Sequence, residues 1–137
     1  MKRDLGHGYE LDDDRARLDR DAIHGYLGGV SYWAKGRTRE QQDELIDLSE
    51  RVVGLYKDGS QIGFARAVDC AGAGFVYLAD VYVLDEHRGR GLGKQLVREM
   101  IEEGELAGRR WLLHTRDAHT LYEQFGFVAN PRLMQRG

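Results

Sequence analysis

The stretch Phe75–Lys94, FVYLADVYVLDEHRGRGLGK, decides how the rest of the chain is read. Its first ten residues, Phe75 to Leu84, are apolar, aromatic or β-branched nearly throughout, which predicts a strand covered on both faces in the middle of a sheet. The glycine-rich Arg88-Gly89-Arg90-Gly91-Leu92-Gly93-Lys94 follows. Beyond it Leu92, Leu96 and Met100 recur at i, i+4 and i+8 with Val97 and Ile101 beside them, the apolar stripe of a helix from Arg90 to Ala107. A strand that feeds a helix through glycines leaves several backbone N–H groups free and aimed at one point, with the positive end of the helix dipole behind them. Such a turn binds phosphate. Gly91 and Gly93 admit close approach of a pyrophosphate, and Arg88, Arg90 and Lys94 surround it with positive charge.

Two other phosphate loops fail on spacing. A Walker loop requires Gly where Arg88 stands and Ser or Thr where Gln95 stands. In a GxGxxG fingerprint, Gly89 and Gly91 lead to Lys94, and Gly91 and Gly93 lead to Leu96. The pattern that remains is Arg-x-x-Gly-x-Gly.

Working outward, Trp111-Leu112-Leu113-His114-Thr115 reads as a strand, so strand, helix and strand form a β-α-β unit with a right-handed crossover and parallel strands. Asp117 opens a short helix carrying Leu121, Tyr122 and Phe125, Gly126 ends it in a left-handed conformation, and Phe127-Val128 returns to the sheet. Upstream, Val52–Tyr56 and Ile62–Val68 flank Lys57-Asp58-Gly59-Ser60, an antiparallel hairpin turning on Asp-Gly. Thr38-Arg39-Glu40-Gln41 is a capping box ahead of Leu45, Ile46 and Leu48. Ile23, Tyr26 and Leu27 mark an earlier helix capped by Asp19 or Asp21, and Tyr9–Leu11 a short first strand. The fold class is α+β: a mixed sheet with an antiparallel N-terminal half, a parallel β-α-β C-terminal unit and helices on both faces.

Composition narrows the functions. The 137 residues are 42% hydrophobic and 31% charged, enough for one domain and one core, so residues 1–137 are read as a single domain. The net charge of −3 gives no general attraction to nucleic acid or an anionic membrane. No stretch approaches the roughly 20 apolar residues of a membrane span. The single Cys70 cannot form an intrachain disulfide, and Met1–Asp4 leads into polar sequence rather than a signal peptide, so a reducing cytoplasm is expected. A metal site is not expected, because His114 and His119 have neither a third ligand nor a shared helical face. The oligomeric state is left open, a homodimer included.

Arg88, Gly91 and Gly93 between a central strand and a long helix resemble the acetyl-CoA loop of the GCN5-related N-acetyltransferase (GNAT) superfamily. The run Ala118-His119-Thr120-Leu121-Tyr122-Glu123-Gln124-Phe125-Gly126-Phe127 resembles that family's Ala-x-x-Leu-Tyr-x-x-x-Gly-Phe helix and following strand. The likeness covers about Val52 to Val128; one departure is Thr115, where many members carry Asn. It implies acetyl-CoA as co-substrate, no metal, and direct transfer of the acetyl group to a primary amine of a small molecule or peptide in a ternary complex. It further implies that the backbone of Val81 and Val83 pairs with the pantetheine arm, that the N–H groups from Arg88 to Lys94 (Gly89, Arg90, Gly91, Leu92 and Gly93 between them) hold the pyrophosphate, and that Tyr122 protonates the departing thiolate.

An alkyl amine with a pKa of about 10.4 is neutral in only about one molecule in 2,500 at pH 7. A base is therefore sought. Asp80 is the only charged residue in Phe75–Leu84, and an unpaired carboxylate in a core strand would be very costly, so it is expected to face a cleft as base or amine anchor. The alternative is a bulge residue bonded to backbone amides or ion-paired with Arg66. His87, His114 and His119 are secondary proton-relay candidates. Tyr32, Trp33 and Arg66 are candidates for the acceptor pocket, and Cys70 takes no part. Two other activities fit the same residues: acetylation of protein N-termini, and CoA binding by a regulatory module without turnover.

Overall fold

The computed structural model describes all 137 residues. In chain order the elements are β1 (Lys2–Gly6), β2 (Tyr9–Asp12), α1 (Arg20–Gly29), α2 (Arg39–Leu48), β3 (Arg51–Lys57), β4 (Ser60–Cys70), β5 (Phe75–Val83), α3 (Leu92–Glu102), β6 (Trp111–Leu112) and α4 (His119–Glu123). The strands form one sheet in sequence order, antiparallel from β1 to β5 and parallel between β5 and β6.

Local chemistry accounts for most of these boundaries. Asp58 and Gly59, both at positive φ, turn β3 into β4. Asp19 caps α1 by accepting from the Ala22 N–H, and Thr38 and Gln41 form the reciprocal capping box of α2. Side chains alternate across the strands, and both faces are covered. On one face α3 packs Leu92, Leu96, Val97 and Met100 against Val53, Leu55, Ala65, Ala67, Val76 and Leu78. On the other, Ile23 and Leu27 of α1 and Ile46 of α2 cover Val52, Phe64 and Tyr82. No helix is long and apolar enough to cross a membrane.

Several boundaries differ from those expected. The first strand is a hairpin: β1 precedes β2 through Gly6-His7-Gly8, all three at positive φ. Its sequence KRDLG is mostly exposed and charged, as suits an edge strand, and so carries no apolar alternation. Helix α3 is shorter than Arg90–Ala107, because Glu103 is extended and Gly104 adopts φ +79°. Strand β5 is interior but next to last, since only Trp111 and Leu112 pair beyond it. The short helix is preceded by Ala118, not capped by Asp117, and the Ala118 N–H bonds to Thr115 Oγ1 at 3.0 Å. Phe127 does not rejoin the sheet; its N–H donates to the Tyr122 carbonyl behind left-handed Gly126, and its ring meets Tyr122 edge-on at 5.7 Å.

The N-terminal strands are stitched to α3 by buried charge. Glu99, 2% exposed, accepts from Arg3 Nε at 2.5 Å and Arg51 Nη2 at 3.2 Å, while Arg51 also donates to the Glu99 carbonyl at 2.8 Å. Removing one partner of a buried pair leaves the other charge uncompensated. Glu99→Ala is therefore expected to lose about 3 kcal/mol in urea unfolding. A loss under about 1 kcal/mol would show that Asp13 and the carbonyls around Arg51 suffice.

Candidate active site

Strand β5 carries one residue too many for its partner. Phe64 pairs with Tyr82 and Arg66 with Ala79, which leaves Asp80 and Val81 both opposite Ala65. This is a β-bulge, and it bends the strand. Asp80 takes φ +57°, a left-handed conformation costly for a residue with a Cβ. On the other side of β5, pairing with β6 covers only Val76 and Tyr77. From Leu78 to Val83 that edge has no strand partner, and the two parallel strands separate there.

The loop after β5 supplies the second part. No backbone N–H from Gly89 to Lys94 has an acceptor within the protein; the first one satisfied is that of Gln95, which bonds to the Gly91 carbonyl at 3.1 Å. Six consecutive donors thus lead into α3, with left-handed Gly91 as the residue before its first turn. Arg88 is anchored to α1 by a 3.3 Å hydrogen bond to the Tyr26 hydroxyl, and the Tyr26 ring stacks on Tyr82 at 4.2 Å.

These two features open on one cleft of about 760 Å³. It brings together Val81, Val83, Arg88, Gly89, Gly91, Leu92, Gly93 and Lys94 with Tyr32, Trp33 and Tyr122. Of the residues singled out from the sequence, Asp80, Arg66 and Arg90 do not line it. A larger cavity, about 1250 Å³, lies beyond β6 against the C-terminal segment. Tyr122 borders both, but no residue of the 88–94 loop reaches the larger one.

Asp80 does not face the cleft as a free base; it is the bulge residue ion-paired with Arg66. Its side chain is 2% exposed, and Arg66 Nε and Arg37 Nη1 donate to Oδ2 at 2.7 and 2.8 Å while Trp33 Nε1 donates to Oδ1 at 2.9 Å. Burial works to raise its pKa, but the charges and hydrogen bonds of Arg66, then of Arg37, outweigh it and hold the carboxyl below the ordinary range. A carboxylate so held is a poor proton acceptor at neutral pH. Arg37 was not found from the sequence: it lies 43 residues from Asp80, and no periodicity marks it. Gln42, fully buried, accepts from Arg37 Nη1 at 2.9 Å, leaving its own Nε2 without a partner.

Tyr122 is buried, and its hydroxyl makes no hydrogen bond within the protein. Burial first, then the proximity of Tyr32 and Asp117, pushes its pKa up to about 12. It stays protonated at any physiological pH. His114 is engaged elsewhere, bonded to the Tyr77 hydroxyl and, at 3.2 Å, to Gln135, while His87 lines the cleft and meets the Tyr9 hydroxyl at 2.9 Å.

A family model described as the acetyltransferase (GNAT) domain matches residues 49–129, more than half of the sequence. The chain belongs to the GNAT acetyltransferase family. A solved structure from Xanthomonas campestris pv. campestris, assigned to the same family, is 37% identical and superposes with a TM-score of 0.85 over 94% of this chain and 92% of that one. A protein of Gibberella zeae assigned as an acetyltransferase is 27% identical over 139 residues, covering 86% of this chain and 78% of its own. A structure from Deinococcus radiodurans R1, 23% identical with a TM-score of 0.73, shares the fold. The GNAT match spans β3 to α4, so the bulge, the open edge of β5, the N–H loop and Tyr122 all fall within it, whereas α1, α2 and Tyr32-Trp33 precede it.

Two expectations follow for this GNAT cleft. The folded pKa of Asp80 is depressed, so its stabilising contribution is complete above the unfolded value of about 3.9 and is lost as pH falls through the lower folded value. Asp80→Asn should cost about 3 kcal/mol near neutrality and flatten the fall of stability below about pH 4, measured by urea unfolding across pH. An unchanged acid limb would assign that fall to other carboxylates. Gly91→Val places a β-branched residue at φ +73°, where a Cβ meets no protein atom within 4 Å but the backbone is strained, so urea unfolding of the variant accompanies the binding measurement. Acetyl-CoA affinity should drop at least about tenfold by calorimetry, and an unchanged affinity would remove the loop from cofactor binding.

Proposed function

We propose that this GNAT protein is a cytoplasmic enzyme that transfers the acetyl group of acetyl-CoA directly to a primary amine of a small molecule or peptide, both substrates being bound at once. The observation that carries the reading is the run of six backbone N–H groups without acceptors, Gly89 to Lys94, in a loop that lines the same cleft as Tyr122. Those donors, with Arg88 and Lys94, suit the pyrophosphate. The open edge of β5 at Val81 and Val83 offers main-chain partners to the amides of the pantetheine arm, as an added strand would. Tyr32 and Trp33 then border the space left for the amine.

The amine nitrogen forms the C–N bond as the C–S bond breaks, with its electron pair leaving on sulfur. A phenol at about 12 is a weaker acid than a thiol near 8.5, so full proton transfer to a free thiolate runs uphill. Tyr122 therefore contributes chiefly through the hydrogen bond that grows as charge builds on sulfur. The amine loses its proton to water without help from Asp80. Two guanidiniums around that single carboxylate leave a net positive charge behind Trp33, which disfavours an ammonium and favours the neutral nucleophile.

The test is release of CoA thiol from acetyl-CoA over a panel of amines, amino acids, polyamines, aminoglycosides and short peptides. Release with one amine class supports the transferase; tight acetyl-CoA binding with no release would point instead to a regulatory module. With the best acceptor, Tyr122→Phe should lower kcat by about 100-fold while acetyl-CoA affinity stays within about twofold. Equal turnover removes Tyr122 from the mechanism.

A further inference from the structure

Tyr32 bridges from the segment between α1 and α2 to the segment that precedes α4. Its hydroxyl accepts from the Arg116 backbone N–H at 3.1 Å, and the Arg116 guanidinium lies 3.7 Å from the centre of its ring. Trp33 meets the Tyr32 ring edge-on at 5.0 Å. Arg116 lines the cleft, yet its guanidinium enters no ion pair and donates no hydrogen bond within the protein. Of the other arginines near it, Arg37 and Arg66 are engaged with Asp80 and Arg88 with Asp85 at 3.1 Å, while Arg90, also unpaired, does not line the cleft.

We propose that Arg116 recognises an anionic group on the acceptor, a carboxylate or a phosphate ester, so that the amine accepted by this enzyme carries its own negative charge. The inference rests on the transferase reading of the cleft. A guanidinium stacked on an aromatic ring keeps its planar set of donors while losing little further freedom when an anion arrives, and that set matches carboxylate and phosphate oxygens in pairs. Its attachment to Tyr32, whose ring in turn meets Trp33, rather than to the 88–94 loop, assigns it to the acceptor rather than to the pyrophosphate. The balance of charge agrees. With Arg88 and Lys94 given to the pyrophosphate, Arg116 remains without an ion pair, and behind Trp33 two guanidiniums face one carboxylate. A polycationic acceptor would be repelled there, and an anionic one drawn in.

Matched acceptors test this: an α-amino acid against its amide, and an aminoalkyl phosphate against the corresponding amino alcohol, the two pairs separating carboxylate from phosphate. In the wild type, kcat/KM for the anionic member of one pair should exceed that of its neutral twin by about 10- to 100-fold. Arg116→Gln should abolish that ratio, Arg116→Lys should restore part of it, and acetyl-CoA affinity should be unchanged in both. Equal use of the twins by the wild type, or an Arg116→Gln loss that falls on both twins alike or on acetyl-CoA binding, overturns the proposal. If no amine releases CoA, the transferase reading fails separately, and calorimetry of the same twins with CoA present still decides. Binding of the anionic twin that depends on Arg116 supports recognition, and its absence refutes it.

Discussion

A carboxylate buried inside a strand is an unfavourable thing to fold, and Asp80 is accommodated only because three donors converge on it. Arg66 comes from the neighbouring strand, Arg37 and Trp33 from the segment between α1 and α2. The three bonds hold a left-handed residue in the middle of β5 and so keep the bulge in place. They also fasten the α1–α2 segment to the sheet at the one point where Tyr32 and Trp33 can border the cleft. If the carboxylate were removed, two guanidiniums would be left in its place, and bulge, segment and cleft wall would all lose their common anchor.

The two strands on either side of the cleft separate because so little joins them. Two paired residues hold β6 to β5, whereas β4 and β5 pair over nearly their whole length. The exposed main-chain edge that results would be an aggregation hazard on the outside of a sheet, but here it is recessed between α3 and the segment leading to α4. The loop from Gly89 to Lys94 repeats that logic: donors that a folded chain ordinarily satisfies internally are left open where a ligand can reach them.

What the sequence made legible were features encoded by neighbours. The Asp58-Gly59 turn, the Thr38–Gln41 capping box, the apolar stripe of α3 and the Arg-x-x-Gly-x-Gly loop each depend on residues within a few positions of one another. The GNAT likeness rests on two such local patterns. What stayed hidden depends on partners far apart. Asp80 stands out as the one charge in its strand, and Arg66 lies within reach on the adjoining hairpin strand, but nothing local joins Arg37 to it. Arg116 stands between a strand and a motif with no pattern of its own, and becomes notable only once Tyr32 lies against it. The ends of elements shifted for similar reasons. The hydrophobic pattern of α3 runs on to Leu106, but the extended Glu103 and left-handed Gly104 break the backbone first, and Phe127 is drawn onto Tyr122 rather than into the sheet.

The apolar interior is divided by the sheet into two unequal parts, seventeen buried residues on the α3 side and seven on the side of α1 and α2. The donor loop opens α3 on the larger part, whereas Tyr32 and Trp33 belong to the segment that joins the two helices over the smaller. If the loop holds the acetyl donor and Tyr32 and Trp33 border the acceptor, such a division would let a lineage change what it acetylates without rebuilding how it holds that donor. Substitutions at Ile23, Leu27, Ala34 and Ile46, the members of the small cluster that lie outside the sheet, would reshape that side without touching the larger cluster under α3.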